Sequence, residues 1–240
     1  MKKFLSILLS AVMVLSLAAC GAKEATPNGD QSNTVNEDGT RDTYVTIKVG
    51  TGHNKNSFFY TGLAEFERLV EENTKGAVQI DIFTDGALGS EGEMAEGLTM
   101  GTVDSGLLGS SSIAKLESTF NVFSLPYLFE NNDHVDAVFS GEPGQLFRDK
   151  IWDSQHVMIL DYWDSGFRNY STNLHEINGP EDMKGMLIRI PDNPIQAATA
   201  AALGASTSTL SYNELYLACS NKTVDGQEGP VFAFVADNFF

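Results

Sequence analysis

The chain has 240 residues, with 32 acidic and 15 basic side chains, and therefore a formal net charge of −17 at pH 7. This length suits one large domain or two small ones with a sizeable core. The acidic balance argues against nucleic acid or an anionic membrane surface as a partner, because both would repel the protein. A small anionic ligand stays possible, because it responds to the local field of its pocket.

Residues 1–19 have the pattern of a secretory signal peptide. Lys2 and Lys3 form a basic start, and residues 4–17 form an apolar segment too short to span a bilayer. The sequence Leu-Ala-Ala-Cys-Gly at 17–21 resembles the processing motif of bacterial lipoproteins, whose cysteine becomes the lipid-modified first residue. We therefore predict a lipid anchor at Cys20, on the outer face of the bacterial cytoplasmic membrane or in the periplasm. An ordinary secretory signal with a chance cysteine is the alternative.

Residues 20–42 predict a flexible tether between the anchor and the folded part. They are rich in small and polar side chains and cannot bury enough apolar surface to offset the entropy of ordering. If Cys20 carries lipid, Cys219 is unpaired, and the sequence predicts no disulfide framework.

Strands and helices alternate along the first part of the chain, which is typical of a parallel sheet. Ser90, followed by Glu93, is a helix N-cap signal. The predicted strands lie at 43–49, 77–83, 103–108 and 156–162, and the predicted helices at 57–73, 90–100, 132–139 and 142–150. Residues 121–129, broken by Pro126, predict an irregular buried connection.

The second part repeats the alternation. An extended segment at 167–172 precedes strands at 186–190, 205–210 and 223–225, helices at 193–203 and 211–220, and a loop at 226–230. Residues 231–240 carry four phenylalanines without a closing signal. An apolar segment of this kind needs cover, so we expect the sequence to be incomplete at its C-terminus.

Arg189 is the most informative charged residue. It lies near the carboxyl end of the nearly continuous apolar run 186–190, and Pro191 ends that strand. Ligands of open α/β sheets bind outside such strand ends. A guanidinium there needs a partner, because an unpaired buried charge is costly. That partner is either a ligand carboxylate, held bidentately, or an Asp or Glu from elsewhere in the chain.

Arg168 is the second candidate, because it follows a predicted strand and arginines are few in this chain. Two guanidinium groups that converge on one crevice favour a multiply oxygenated anion. A surface ion pair is the alternative for Arg168. The sequence contains no HExxH, CxxC, Gly-x-Ser-x-Gly or P-loop pattern, so it predicts neither a metal site nor a cofactor site.

Eight short motifs, in order and at matching spacing, resemble the DctP-type solute-binding proteins of tripartite ATP-independent periplasmic (TRAP) transporters. The resemblance covers about residues 44–230. The motifs are Gly76 with Leu88-Gly89-Ser90-Glu91, Gly101-Thr102-Val103-Asp104, Leu125-Pro126-Tyr127-Leu128-Phe129, Gly166-Phe167-Arg168-Asn169, Pro180-Glu181-Asp182-Met183-Lys184-Gly185, Ile188-Arg189-Ile190-Pro191, Glu214-Leu215-Tyr216 and Val224-Asp225-Gly226-Gln227-Glu228.

The resemblance implies a two-lobed α/β fold of the periplasmic-binding-protein kind (type II-like), with a ligand cleft between lobe I at 43–165 and lobe II at 166–240. It implies a binding protein without catalytic residues or cofactors that captures a small organic acid and delivers it to a TRAP membrane permease. The acid would be a C4-dicarboxylate, a sugar acid or a keto acid.

The same resemblance implies the ligand-binding residues. Arg189 matches the carboxylate-binding arginine of the family and Arg168 a second arginine found in many members. The other implied positions are Tyr212, Glu91, His53, Asn54, Gly109, Ser110, Gln227 and Glu228. Many members have an asparagine after the Gln-Glu pair, whereas this chain has Gly229 and lacks that side-chain contact.

Two other classes stay open. One is a binding protein of an ABC transporter or of a receptor, which neighbouring genes would distinguish. The other is an extracellular hydrolase that uses an acid pair such as Asp161 and Asp164, which turnover of a substrate panel would reveal.

Overall fold

The structure is a computed structural model, and it describes residues 45–236 and Phe239. The predicted signal peptide, the lipid attachment at Cys20 and the tether at 20–42 lie outside these residues. Within the described part of the chain, no helix is long and apolar enough to cross a membrane.

The first lobe contains a three-stranded parallel sheet in the order β2-β1-β3. Helices connect the strands, as the alternating pattern predicts. Its strands are β1 (Val45–Thr51), β2 (Val78–Phe83) and β3 (Ser105–Leu107), and its helices are α1 (Phe58–Asn73), α2 (Glu91–Met100), α3 (Ser110–Ile113), α4 (Asn132–Ser140) and α5 (Glu142–Gln155). A 3-10 helix at Ser118–Ser124 replaces part of the predicted irregular connection.

The second lobe contains a four-stranded mixed sheet in the order β4-β7-β5-β6. The strands β5, β6 and β7 are parallel, and β4 runs antiparallel to β7. The elements are β4 (Arg168–Thr172), a 3-10 helix (Pro180–Met183), β5 (Leu187–Ile190), α6 (Pro194–Ala202), β6 (Ser206–Thr209), α7 (Tyr212–Ser220), β7 (Gly226–Pro230) and α8 (Val231–Ala236). The exact boundary between the lobes, at residues 165 and 166, stays a prediction.

Each lobe has its own apolar core. In the second lobe, Ile188, Ile190 and Ala200 are almost fully buried between β5 and α6. In the first lobe, one cluster surrounds Val49 and Leu63 beside the sheet, and a second one joins the helices around Phe120, Ile151 and Val157. Because these clusters are separate, neither lobe depends on the other for its main apolar contacts.

Two stretches differ from the sequence prediction. Residues 156–162 are not a strand: Val157 is buried and Met158 and Leu160 are each 65% exposed, but this backbone forms no ladder with any described strand. More exposed and less exposed residues alternate here as in a strand, but no described strand pairs with this segment to form the hydrogen-bonded ladder. The predicted strand at 223–225 is a turn, and the predicted loop at 226–230 is the fully buried strand β7.

Strand β7 depends on a glycine that sequence reading assigned to a loop. A Cβ atom on Gly226 would lie 2.2 Å from the carbonyl oxygen of Ser171 on β4. Only glycine lets these two strands approach so closely.

Polar contacts join the lobes, and two of them involve the residues just before α6. The Lys115 ammonium lies 2.7 Å from a carboxylate oxygen of Asp192. Asn121 accepts a hydrogen bond of 2.9 Å from the side-chain amide of Asn193. Asn193 also caps α6, because its Oδ1 atom accepts from the backbone N–H groups of Ile195 and Gln196.

We expect Asn193→Ala to lower the free energy of unfolding by about 1–2 kcal/mol, because a buried N-cap is lost and two N–H groups lose their acceptor. Urea unfolding followed by circular dichroism measures this. Asn193→Asp is the matched control, since it keeps the cap oxygen and removes the donor to Asn121, while the negative charge that it adds is favourable at a helix N-terminus. Equal destabilisation by both variants would show that the contact between the lobes, rather than the cap, carries the effect.

Candidate functional site

Arg189 lies one residue before the carboxyl end of β5, between the parallel strands β6 and β7. It is only 3% exposed, and both of its strand neighbours, Ile188 and Ile190, are buried. In the register of the sheet, Arg189 is level with Gln227 on one side and Ser208 on the other, so the three side chains share a face.

The guanidinium of Arg189 is bound by a neutral group. Its Nε and Nη2 atoms donate to the carbonyl oxygen of Leu210, at 2.9 and 2.6 Å. Among the described residues, no carboxylate forms an ion pair with it. Burial, together with the nearby charge of Arg168, lowers the pKa of Arg189 to about 10 against the opposing charges of Glu91 and Glu228. The group therefore stays charged at neutral pH.

Arg168, at the start of β4, is in the opposite situation because it has an internal counter-ion. Its Nε and Nη2 atoms donate to the two carboxylate oxygens of Glu228, at 2.6 and 2.7 Å, and Nη2 also donates to the Glu228 carbonyl oxygen. The Arg168 side chain is 39% exposed and that of Glu228 only 10%. The ion pair considered for Arg168 is therefore present, and its partner is another predicted site residue.

Alternation along β7 explains why Glu228 meets Arg168 and not Arg189. Gln227 is level with Arg189, so Glu228 points to the other face, where its strand partner is Tyr170. Arg168 is two residues from Tyr170 and shares that face. Both faces end at the same sheet edge, and the charges of Arg168 and Glu228 both act on the pKa of Arg189.

Two buried amides complete this edge. Gln227, a predicted site residue, is 2% exposed, and its Nε2 atom has no hydrogen-bond partner among the described residues. Gln196 was not predicted. It is 7% exposed, its Nε2 atom donates to Glu228 at 3.0 Å, and its Oε1 atom has no described partner. The sequence did offer a signal for Gln196: it is a polar residue four positions before Ala200, on the same buried face of α6.

On the first lobe, Glu91 is held at the start of α2. Its Oε2 atom accepts hydrogen bonds from the backbone N–H of Gly109 and from the hydroxyl of Ser112, both at 3.1 Å. Ser112 was not among the predicted residues. The predicted Ser110 is exposed, at the first position of α3. Glu91 also attracts the charge of Arg189, so the first lobe contributes to the electrostatics of that site.

His53 and Tyr212 lie in a group of aromatic rings that spans the lobes. The His53 ring lies 4.7 Å from Phe59, 4.9 Å from Tyr212 and 6.0 Å from Phe232 of α8. The side-chain amide of Asn54 donates to the carbonyl oxygen of Ala236 at 3.5 Å. These predicted residues are thus close to each other and to α8.

Arg189 lines neither of two pockets formed by the described residues near this site. A pocket of about 230 Å³ is lined by Asn54 and Tyr212, with Gly52, Asp85, Asn213, Tyr216 and Phe239. A larger one, of about 440 Å³, contains no predicted site residue. The buried charge of Arg189, which has no carboxylate partner among the described residues, marks the candidate site, because such a guanidinium requires a partner.

The acid pair considered for hydrolysis is exposed and has local partners. Asp161 accepts from Arg148 and from the backbone N–H of Tyr162, and Asp164 accepts from the backbone N–H of Gly166. In residues 45–236 and Phe239, no group of three or more His, Cys, Asp or Glu side chains could hold a metal ion.

Comparison with known proteins gives a family match over residues 49–240, to the bacterial extracellular solute-binding proteins of family 7, DctP. The chain is 28% identical over 176 residues to the 2,3-diketo-L-gulonate-binding periplasmic protein YiaO of Escherichia coli K12, covering 73% of this chain and 53% of that protein.

Two solved structures are similar in fold and sequence. One is the sugar acid binding protein DctPAm of Advenella mimigardefordensis in complex with galactonate, with a TM-score of 0.79, 31% identity, and coverage of 82% of this chain and 64% of the other. The second is a TRAP periplasmic solute binding protein of Sulfurospirillum deleyianum with bound succinate, with a TM-score of 0.78, 32% identity and the same coverage.

These comparisons confirm the predicted α/β, two-lobed fold and the predicted family. The chain spans about 53–60% of the length of the first curated relatives it matches. Over residues 49–240, which are most of its length, the chain belongs to the bacterial extracellular solute-binding proteins of family 7, the DctP family.

Proposed function

We propose that this protein captures a small organic acid outside the cytoplasm and delivers it to a TRAP membrane permease. The observation that carries the proposal is the state of Arg189, which is 3% exposed and whose guanidinium, among residues 45–236 and Phe239, donates hydrogen bonds only to the neutral carbonyl of Leu210. A buried charge of this kind is costly unless a partner compensates it. A ligand carboxylate is that partner.

The surroundings of Arg189 suit a carboxylate. Gln227 lies level with it on the neighbouring strand and has a buried Nε2 donor without a described partner. A guanidinium and an amide donor on one face can satisfy both oxygens of a carboxylate. The site lies at the carboxyl edge of parallel strands, where α/β sheets bind ligands.

Capture requires the lobes to separate. Arg189 lines neither pocket and is almost inaccessible while the lobes touch through Lys115–Asp192 and Asn121–Asn193. Hinge opening admits the acid, and closure then brings Glu91 of the first lobe toward the same site. Other predicted residues would contact the acid from the loops and helix starts that face it: His53, Asn54, Ser110 and Tyr212.

The permease partner and the location follow from the same proposal. The relatives are described as periplasmic or TRAP solute-binding proteins. Lipid at Cys20 would keep the protein close to a permease in the membrane. Two of the similar structures contain a sugar acid, galactonate, and a dicarboxylate, succinate.

We expect Arg189→Ala to weaken binding of the acid by about 2–5 kcal/mol, or roughly 30-fold to several thousandfold, because one partner of a buried charge pair is removed. A thermal-shift screen of organic acids on the full chain identifies the ligand, and calorimetric titration measures the loss. Arg68→Ala is the control, since Arg68 forms exposed pairs with Glu65 and Glu72 on α1. Unchanged affinity of Arg189→Ala would contradict the proposal.

The affinity for the acid should depend on pH in the alkaline range. The pKa of Arg189 is lowered to about 10, and a bound carboxylate favours the charged guanidinium. Affinity is therefore constant from about pH 6 to pH 8 and falls as the pH rises toward and through 10. Titrations at constant ionic strength, with circular dichroism at each pH, measure this. A fall confined to the range below pH 8 would assign binding to another group.

The lipid anchor can be tested separately. We expect the full chain, expressed in a bacterium, to fractionate with membranes and to be released by detergent but not by salt. Cys20→Ser should move it to the soluble fraction, whereas Cys219→Ser, which changes the other cysteine, should leave it on the membrane. Retention of Cys20→Ser on the membrane would contradict lipid attachment at this residue.

A further inference from the structure

We infer that the second group recognised on the ligand is a hydroxyl and not a second carboxylate, and that Glu228 sets this preference through Arg168. The inference rests on the proposed function, because it assumes that Arg189 binds one carboxylate. The ligand class that follows is a hydroxylated monocarboxylic acid. Three observations lead to it.

The first observation is that the charge of Arg168 is already compensated. Both carboxylate oxygens of Glu228 accept from its guanidinium, at 2.6 and 2.7 Å, and Glu228 is only 8% exposed. This bidentate pair occupies the Nε–Nη2 edge of the guanidinium, so a second ligand carboxylate cannot bind that edge. What remains is a hydrogen-bond donor in a locally neutral pair.

The second observation is the orphaned acceptor of Gln196. Its Nε2 atom donates to Glu228, while its Oε1 atom is buried with no donor among the described residues. A buried acceptor is costly until an O–H or N–H group reaches it. A ligand hydroxyl supplies such a donor and can also accept from Arg168, whereas an ionised carboxylate has no proton to give.

The third observation is the balance of charge around the site. The charges of Arg168, Glu91 and Glu228 act on Arg189, as does Tyr212, and within this set Glu228 is paired with Arg168. Arg189 in turn acts on Glu214 at the start of α7, which adds another negative charge on that side. Because Glu228 is paired with Arg168, Arg189 is the cation that one ligand carboxylate would use, and a second carboxylate would add to the negative charge of Glu91 and Glu214.

Glu91 offers a further place for a hydroxyl. Both hydrogen bonds described for its carboxylate go to Oε2, from Gly109 and Ser112. Its Oε1 atom is therefore left as an acceptor toward the loop at Gly52, where the same atom would lie 3.7 Å from an added Cβ. Both lobes thus contribute acceptors for hydroxyl groups.

The test compares acids on one six-carbon skeleton with the full chain, by calorimetric titration. Galactonate and related aldonates and uronates carry one carboxylate and several hydroxyls. Galactarate has a second carboxylate in place of the terminal hydroxymethyl group of galactonate, and hexanoate lacks the hydroxyls. Succinate is included as a short diacid. We expect at least one hydroxylated monoacid to bind roughly tenfold or more tightly than galactarate, succinate and hexanoate.

Glu228→Gln should shift this preference. It keeps the shape and removes the counter-ion, so the ratio of monoacid affinity to diacid affinity should fall by roughly tenfold or more. The double variant Arg168→Gln with Glu228→Gln is the matched control, because it removes both charges together and should keep the preference for one carboxylate. Thermal unfolding of each variant checks its fold, and if Glu228→Gln does not fold, the comparison of ligands on the unchanged chain decides.

The outcomes separate the inference from the proposed function. Tighter binding of succinate or galactarate that depends on Arg189 would overturn the inference and leave the proposed function standing. An unchanged ratio in a folded Glu228→Gln variant would overturn it as well. Binding of no organic acid by the unchanged chain would overturn the proposed function itself.

Discussion

The site depends on one buried positive charge that the described chain does not neutralise. Arg189 is almost fully enclosed between β6 and β7, and its hydrogen bonds go to a backbone carbonyl of Leu210. That carbonyl fixes the orientation of the guanidinium without cancelling its charge. The described chain therefore keeps a costly charge in place, and in the proposed function a ligand carboxylate compensates it.

The register of the second sheet determines which of the two arginines, Arg168 or Arg189, is paired with Glu228. Gln227 is level with Arg189, and Glu228, the next residue, must point to the other face. A shift of one residue along β7 would exchange these neighbours, and Glu228 would then face Arg189. Gly226 holds the register at this end, because a Cβ atom there would collide with Ser171 of β4. Strand pairing thus keeps the carboxylate of Glu228 on the face of the sheet opposite to Arg189.

Local sequence patterns were enough to predict much of the fold, but they could not predict which distant residues pair. The apolar run around Arg189 predicted a buried parallel strand, and Ser90 with Glu93 predicted the start of α2, where the full capping box is present. By contrast, residues 156–162 alternate like a strand but have no described neighbour to pair with. The Glu228 partner of Arg168 lies 60 residues away, so sequence reading could list both residues without pairing them.

Opening of the lobes needs little disruption of the structure. The Lys115–Asp192 pair that joins them is 37% and 65% exposed, and exposed pairs of this kind contribute about 0–1 kcal/mol. The apolar clusters lie within the lobes, so a hinge movement leaves them intact. The aromatic contacts between His53, Tyr212 and Phe232 are the larger cost. In the proposed function, a ligand bound at Arg189 offsets that cost only when closure brings Glu91 to the same acid, so capture and closure would be coupled.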